Sequence, residues 1–168
     1  MTAVRSSEAE SFDTAAGPVE RRRIVTEARA WIGTPYCHQA SCQAAGADCL
    51  GLLRGVWRAL YGREPEIAPA YTPYWAETGG QEDLLAAATR HLIPIRQDRA
   101  SFGDVLVFRM RDTGPAKHVG ILSSPWLEPG RIVHAYSGRA VCETHLTRPW
   151  LRRIAGAFRF PALPVQET

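Results

Sequence analysis

The sequence predicts an α+β domain, because its two halves carry different periodicities. Up to about Leu92, apolar residues recur at three-and-four spacing, as on the buried face of a helix. Beyond Gly103 they fall into short β-type runs, separated by Gly-Pro, Pro-Gly and Ser-Gly turns. Helices first and a meander of strands afterwards is an α+β plan, with no internal repeat and no second domain.

Taken in order, residues 1–18 are rich in Ser, Glu, Ala and Thr and end at Gly17-Pro18, which reads as a flexible N-terminal arm. A single domain is expected over 19–162, followed by a short tail over 163–168. From Val19 to Trp31, Ile24, Val25, Ala28 and Trp31 or Ile32 suggest a first helix, closed by Gly33-Thr34-Pro35. A loop from Tyr36 to Ala47 leads into a second helix starting at Cys49. Leu50, Leu53, Val56, Trp57, Leu60 and Tyr61 line that helix, Asp48 is a good N-cap, and Gly62 is a natural stop.

From Arg63 to Thr78 the chain carries Pro65, Pro69 and Pro73 among Tyr71, Tyr74 and Trp75, an irregular excursion of the kind that forms binding edges. A third helix is expected over Gln81–Leu92, with Leu84, Leu85, Ala88 and Leu92 on one side and Pro94 ending it. The strands are expected at Val105–Arg109, His118–Leu122, Arg131–Tyr136, Ala140–Glu143 and Gly156–Phe160.

Composition narrows the function classes. With 168 residues, 45% hydrophobic and 22% charged, the chain can build one core of useful size. Its net charge of +3 is carried almost wholly by arginine, with Lys117 the one lysine. Those arginines are scattered and do not alternate with exposed aromatics, which argues against nucleic-acid binding. No apolar run approaches the roughly 18 residues that a membrane span requires, and the first residues lack a signal-peptide pattern. The expectation is a chain made in the cytoplasm without a signal peptide and without membrane insertion.

Four cysteines, Cys37, Cys42, Cys49 and Cys142, include no Cys-x-x-Cys pair, so a thioredoxin-type redox site is not indicated. Cys49 stands apart because it begins an amphipathic helix. There the helix dipole and the unpaired first-turn amides favour thiolate, so its pKa is expected below the usual value of about 8.5.

A cysteine nucleophile needs a base, and the base needs an orienting partner. His118 opens the apolar run His118-Val119-Gly120-Ile121-Leu122, and His134 sits in Ile132-Val133-His134-Ala135. If the two strands are antiparallel neighbours, the loop from Ser123 to Gly130 brings the two imidazoles side by side. Each residue alone reads as packing. Together, in this order, they read as nucleophile, base and orienter. His38, His91 and His145 have no comparable setting and read as surface or structural. A zinc site built on Cys37, His38 and Cys42 meets the pair spacing, but its remaining ligands would be Cys49 or Cys142, and Cys49 has the better role. Neither metal nor cofactor is expected.

Five blocks extend this pattern: Gly33-Thr34-Pro35-Tyr36, Asp48-Cys49-x-Gly51-Leu52, Gly103-Asp104-Val105-Leu106-Val107-Phe108, His118-Val119-Gly120-Ile121 and Val133-His134-Ala135. In order, they resemble the signature blocks of the NlpC family of bacterial cell-wall cysteine peptidases, from about Ile24 to about Phe160. The resemblance implies a papain-like fold, with the nucleophile helix packed on a C-terminal antiparallel β-sheet. It also implies hydrolysis of an amide bond in peptidoglycan stem peptides, usually between D-γ-glutamate and a diamino acid.

By the same resemblance Cys49 is the nucleophile, His118 the general base and acid, and His134 the third polar residue. Tyr36 would offer its hydroxyl to the oxyanion or the substrate, and the Cys49 N–H would serve the oxyanion hole. Asp48 would cap the helix and face the substrate amine, while Asp104 would fix the turn into its strand. The chain departs from the family at Leu50, where Ser is usual, at Cys37-His38-Gln39-Ala40, where Gly-Gly is common, and at Phe102, where proline is common. The loop from Tyr36 to Asp48 and residue 50 would line the cleft, so these departures bear on substrate contacts.

The loop from Tyr36 to Cys49 is similar to the branch found in phage tail clusters and gene-transfer agents. That similarity implies incorporation into a phage-like tail particle, with a peptidoglycan peptide as substrate and tail-tip or baseplate proteins as partners. Two rival functions fit the same residues. One is a structural tail-tip or assembly component with little or no catalysis, motivated by Leu50 and the altered loop. The other is a cytosolic peptidoglycan-recycling amidase.

Overall fold

Gly17 and Pro18 open the first helix, α1 (Pro18–Arg29), in the computed structural model, which describes residues 15–69, 81–126 and 129–164. Proline at the first helical position loses only an N–H that has no helical partner, and the Glu20 carboxylate accepts the Gly17 N–H at 2.6 Å. Ile24, Val25, Ala28 and Trp31 are buried, whereas Val19 and Ile32 are exposed. Of the two expected continuations of the apolar stripe, Trp31 is the inward one.

Within the arm expected over 1–18, the described residues from Ala15 onward are ordered against the rest of the chain. Ala15 bridges Pro161, and the Ala16 N–H donates to the Phe160 carbonyl at 2.8 Å, so this stretch is tied to the body by backbone bonds. Toward the other terminus the Leu163 N–H, in the stretch expected as a tail, donates to Glu20 at 2.7 Å and its side chain packs on the core.

After a small hairpin, β1 (Ser41–Cys42) and β2 (Gly46–Ala47), comes α2 (Cys49–Tyr61), with the bounds its periodicity predicts. Asp48 is its N-cap, accepting the Gly51 N–H, and Gly62 takes a φ of 83° at its end. Leu52, Val56 and Leu60 bury their side chains, and full burial of such a side chain stabilises by about 1.5–3 kcal/mol. Gly55 lets α1 approach: a Cβ there would stand 2.0 Å from the Trp31 ring.

The third helix, α3 (Asp83–His91), starts two residues later than expected and buries Leu84 and Ala88. Pro94, expected only to stop it, lies inside an edge strand, β3 (Ile93–Ile95), where a missing N–H is tolerated. Tyr71, Tyr74 and Trp75 lie outside the described residues.

Strands β4 (Val105–Arg109), β5 (Ala116–Leu122), β6 (Arg131–His134), β7 (Cys142–His145) and β8 (Ile154–Arg159) complete a six-stranded antiparallel sheet of order β3-β8-β4-β5-β6-β7. A short helix, α4 (Arg148–Leu151), which the sequence reading missed, joins β7 to β8. Central β4 is buried on both faces: Val105 and Val107 join the helix-side core, while Leu106 and Phe108 join a second core on the far side. The turn into β4 is held by Asp104, which accepts the Ser101 N–H and pairs with Arg159 through two 2.8 Å contacts. That is the structural role expected of it.

Replacing Gly55 with alanine should cost about 1–3 kcal/mol through overpacking against Trp31. Urea denaturation checks this, and an unchanged midpoint would contradict the packing described.

Candidate active site

The start of α2 meets β5, and there the sequence-marked residues converge. The Cys49 thiol donates to the carbonyl oxygen of Lys117 at 3.9 Å, which seats the sulfur against the backbone beside His118. Backbone N–H groups of Val119, Leu50 and Cys49 itself also face the sulfur.

Residues 118 and 120 share one face of β5, and Gly120 leaves that face open. A Cβ at Gly120 would stand 3.4 Å from the His134 Cβ. The imidazoles of His118 and His134 meet there, with His118 Nε2 2.9 Å from His134 Nδ1. His134 Nε2 in turn lies 2.9 Å from Thr144 Oγ1 on β7. With Nε2 engaged, Nδ1 is the His118 nitrogen left to a thiol; it is also the ring nitrogen nearer the main chain, where Cys49 lies.

Both imidazoles are walled by aromatic rings. Trp150 packs on His118 and His134 with centroids 5.4 and 5.2 Å away, Phe108 lies 5.8 Å from His118, and Tyr136 stands 6.3 and 6.1 Å from the two histidines. Trp150, Tyr136 and Thr144 were not singled out from the sequence. The expected last-but-one strand ended at Glu143, one residue short of Thr144, and Trp150 lies in the unforeseen α4.

The environment corrects one expectation. Burial, followed by the neighbouring Asp48 charge, pushes the Cys49 thiol up to about 12, although the first-turn amides do act in the opposite direction. Burial, then the proximity of His134, pushes His118 down to about 3, and burial pushes His134 down to about 4. Removing a charge from water costs more here than the helix start returns. The resting pair is therefore a thiol and a neutral imidazole.

Asp48 is nearly buried, and its two oxygens accept the Gly51 N–H at 2.7 Å and the Gln39 N–H at 2.8 Å. His38 Nδ1 lies 3.6 Å from the same carboxylate. Asp48 thus caps α2 and pins the preceding loop. Gln39 and Ala44 hold φ of 63°, a region costly for side-chain-bearing residues; hydrogen bonds from the Gln39 N–H to Asp48 and from the Ala44 N–H to Thr34 Oγ1 help to hold them there. Gly51 is needed for the same fit, since a Cβ there would lie 1.8 Å from the Ala40 carbonyl oxygen.

Tyr36 bridges Ala47 and packs half-buried against the core. Burial, then the charges of Asp48, Cys49 and Cys37, raise its hydroxyl pKa, so it stays protonated and able to donate. Leu50 lines a cavity of about 500 Å³ between α2, the 64–69 stretch and α3, with Leu53, Trp57, Leu84 and Val119 also in its wall.

All four cysteines are free, and among the described residues no group of three or more His, Cys, Asp or Glu converges on one point. His91 lies 3.1 Å from Glu66, and exposed His145 contacts the Pro129 carbonyl at 3.4 Å.

A helix-start cysteine set against an antiparallel sheet that carries the paired histidines is the papain-like arrangement of cysteine peptidases. Residues 33–159 match the NlpC/P60 family model, and the chain belongs to that family. The structure is similar to the NlpC/p60 domain of the peptidoglycan hydrolase SagA, at 24% identity and a TM-score of 0.54, over 82% of this chain and 97% of that one. An NLP/P60-family protein similar to lipoprotein from Staphylococcus aureus aligns at 19% identity and a TM-score of 0.57, over 94% of this chain and 45% of that one. NlpC2 from Trichomonas vaginalis aligns at 20% identity and a TM-score of 0.57, over 84% and 47% of the respective chains. The chain thus spans under half the length of the latter two proteins. No curated protein matches it.

With its thiol pKa raised, Cys49 should react slowly with iodoacetamide at neutral pH and steadily faster as pH rises past 9. Mass spectrometry of the Cys49 peptide measures this, and a rate already at its plateau between pH 5 and 7 would contradict a neutral resting pair.

Proposed function

We propose that this protein is a cysteine endopeptidase that hydrolyses an amide bond of peptidoglycan stem peptides. The observation that carries the reading is the His118–His134 pair at 2.9 Å, set beside the thiol at the start of α2.

In this reading the Cys49 proton passes to His118 Nδ1 as the sulfur attacks the scissile carbonyl carbon. The C–N bond then breaks as His118 returns that proton to the leaving amine, leaving a thioester on Cys49. Water, deprotonated by His118, hydrolyses the thioester and frees the thiol. The tetrahedral oxyanion is met by the Cys49 N–H and the Tyr36 hydroxyl, each such donor being worth about 2.7–4 kcal/mol in the transition state. His134 holds the His118 ring, and Trp150 with Phe108 keeps water from it.

The preferred bond is the one between D-γ-glutamate and a diamino acid, on the family resemblance. The cavity lined by Leu50 offers an apolar wall where a serine would offer a hydroxyl. The site of action proposed is the tip of a phage-like tail, with tail-tip or baseplate proteins as partners, supported by the sequence of the Tyr36–Cys49 loop. Recovery of the protein in purified particles supports that location, whereas recovery from cytosol alone favours the recycling amidase.

Purified protein should release peptide fragments from sacculi, and Cys49→Ala should abolish the release, since loss of a comparable triad nucleophile costs on the order of 10⁶ in kcat. Equal release by the variant would overturn the enzymatic reading and favour a structural role.

A further inference from the structure

The histidine chain does not end at His134, and its far end bears on which nitrogen of His118 carries a proton. A neutral imidazole has one N–H donor and one acceptor nitrogen. At 2.9 Å between His118 Nε2 and His134 Nδ1, one of the two nitrogens holds the hydrogen. The same applies between His134 Nε2 and Thr144 Oγ1, also 2.9 Å apart.

Two arrangements satisfy both contacts. In the first, His118 donates from Nε2 to His134 Nδ1, and His134 donates from Nε2 to Thr144 Oγ1; His118 Nδ1 then holds a bare lone pair. In the second, Thr144 donates to His134 Nε2, and His134 donates from Nδ1 to His118 Nε2. His118 then carries its hydrogen on Nδ1. Only the first can accept the Cys49 proton.

We propose that Thr144 is a positioning residue, whose hydroxyl oxygen accepts from His134 Nε2–H and so holds His118 in the tautomer with Nδ1 open. The inference rests on the proposed role of His118 as base. Thr144 is half-buried on β7, so its own O–H can turn toward solvent while its lone pair serves His134. His134 is almost wholly buried, and an N–H left there without an acceptor would be costly. Without the hydroxyl the chain relaxes to the second arrangement, which leaves only an unfilled lone pair on His134.

Nitrogen-15 NMR of histidine-labelled protein reads the tautomers directly, without turnover. Native protein should show the hydrogen on Nε2 of both His118 and His134. Thr144→Val should move it to Nδ1 of both and lower kcat about 10- to 100-fold with KM nearly unchanged, less than the roughly 10⁴-fold seen when a carboxylate orienter is lost. Thr144→Ser should restore both tautomer and kcat. Nδ1–H on His134 in the native protein would overturn the proposal whatever the variants do, and so would equal loss of kcat in the valine and serine variants. An inactive native protein with Nε2–H tautomers would count against the proposed function while leaving the Thr144 hydrogen bond standing.

Discussion

The seating of the α2 N-terminus on β5 is the constraint from which the site follows. One buried carboxylate governs it: Asp48 caps the helix through Gly51 and holds the preceding loop through the Gln39 amide. Gly51 allows the loop carbonyl at Ala40 to touch the helix, and Gly55, one turn further along the same face, allows the Trp31 ring to pack against it. Bulk at either glycine would tilt or lift the helix. Since the sulfur is placed by the first turn and His118 by the strand, their relative position is only as exact as this contact.

The same close contact sets the electrostatics. A helix start offers amides to a thiolate, and those of Leu50 and Cys49, with the Val119 amide of β5, do face the Cys49 sulfur, but burial and the capping charge of Asp48 outweigh them. Burial, and after it the cap that orders the helix, thus favour the neutral form of the Cys49 thiol. Burial acts likewise on His118 and His134, where the aromatic wall of Trp150 and Phe108 excludes water. A neutral pair avoids burying two charges, and in the proposed mechanism proton transfer accompanies attack.

Much of this was legible in the sequence. The bounds of α2, its Asp48 cap and its Gly62 stop followed from periodicity and end signals, because that helix is amphipathic and flanked by strong punctuators. The pairing of His118 with His134 followed from alternation along two neighbouring strands. What escaped detection depends on tertiary context. The pKa of Cys49 reflects burial, which no local pattern reports. Thr144 and Trp150 gain their meaning from sheet register and from a four-residue helix too short to show a period. Strand β3 hid behind a proline that reads as a stop unless its edge position is known. The docking of Ala15 and Ala16 likewise rests on backbone bonds to the chain's other end.

The most direct test of the account is to trap the covalent intermediate. A stem-peptide substrate mixed with the protein and quenched in acid within the first turnover should leave an acyl group on the Cys49 peptide, detected by mass spectrometry as a thioester that hydroxylamine removes. Turnover with no acyl group on Cys49, or with acylation found on Cys37 or Cys42 instead, would contradict the central claim that the thiol at the head of α2 carries the reaction.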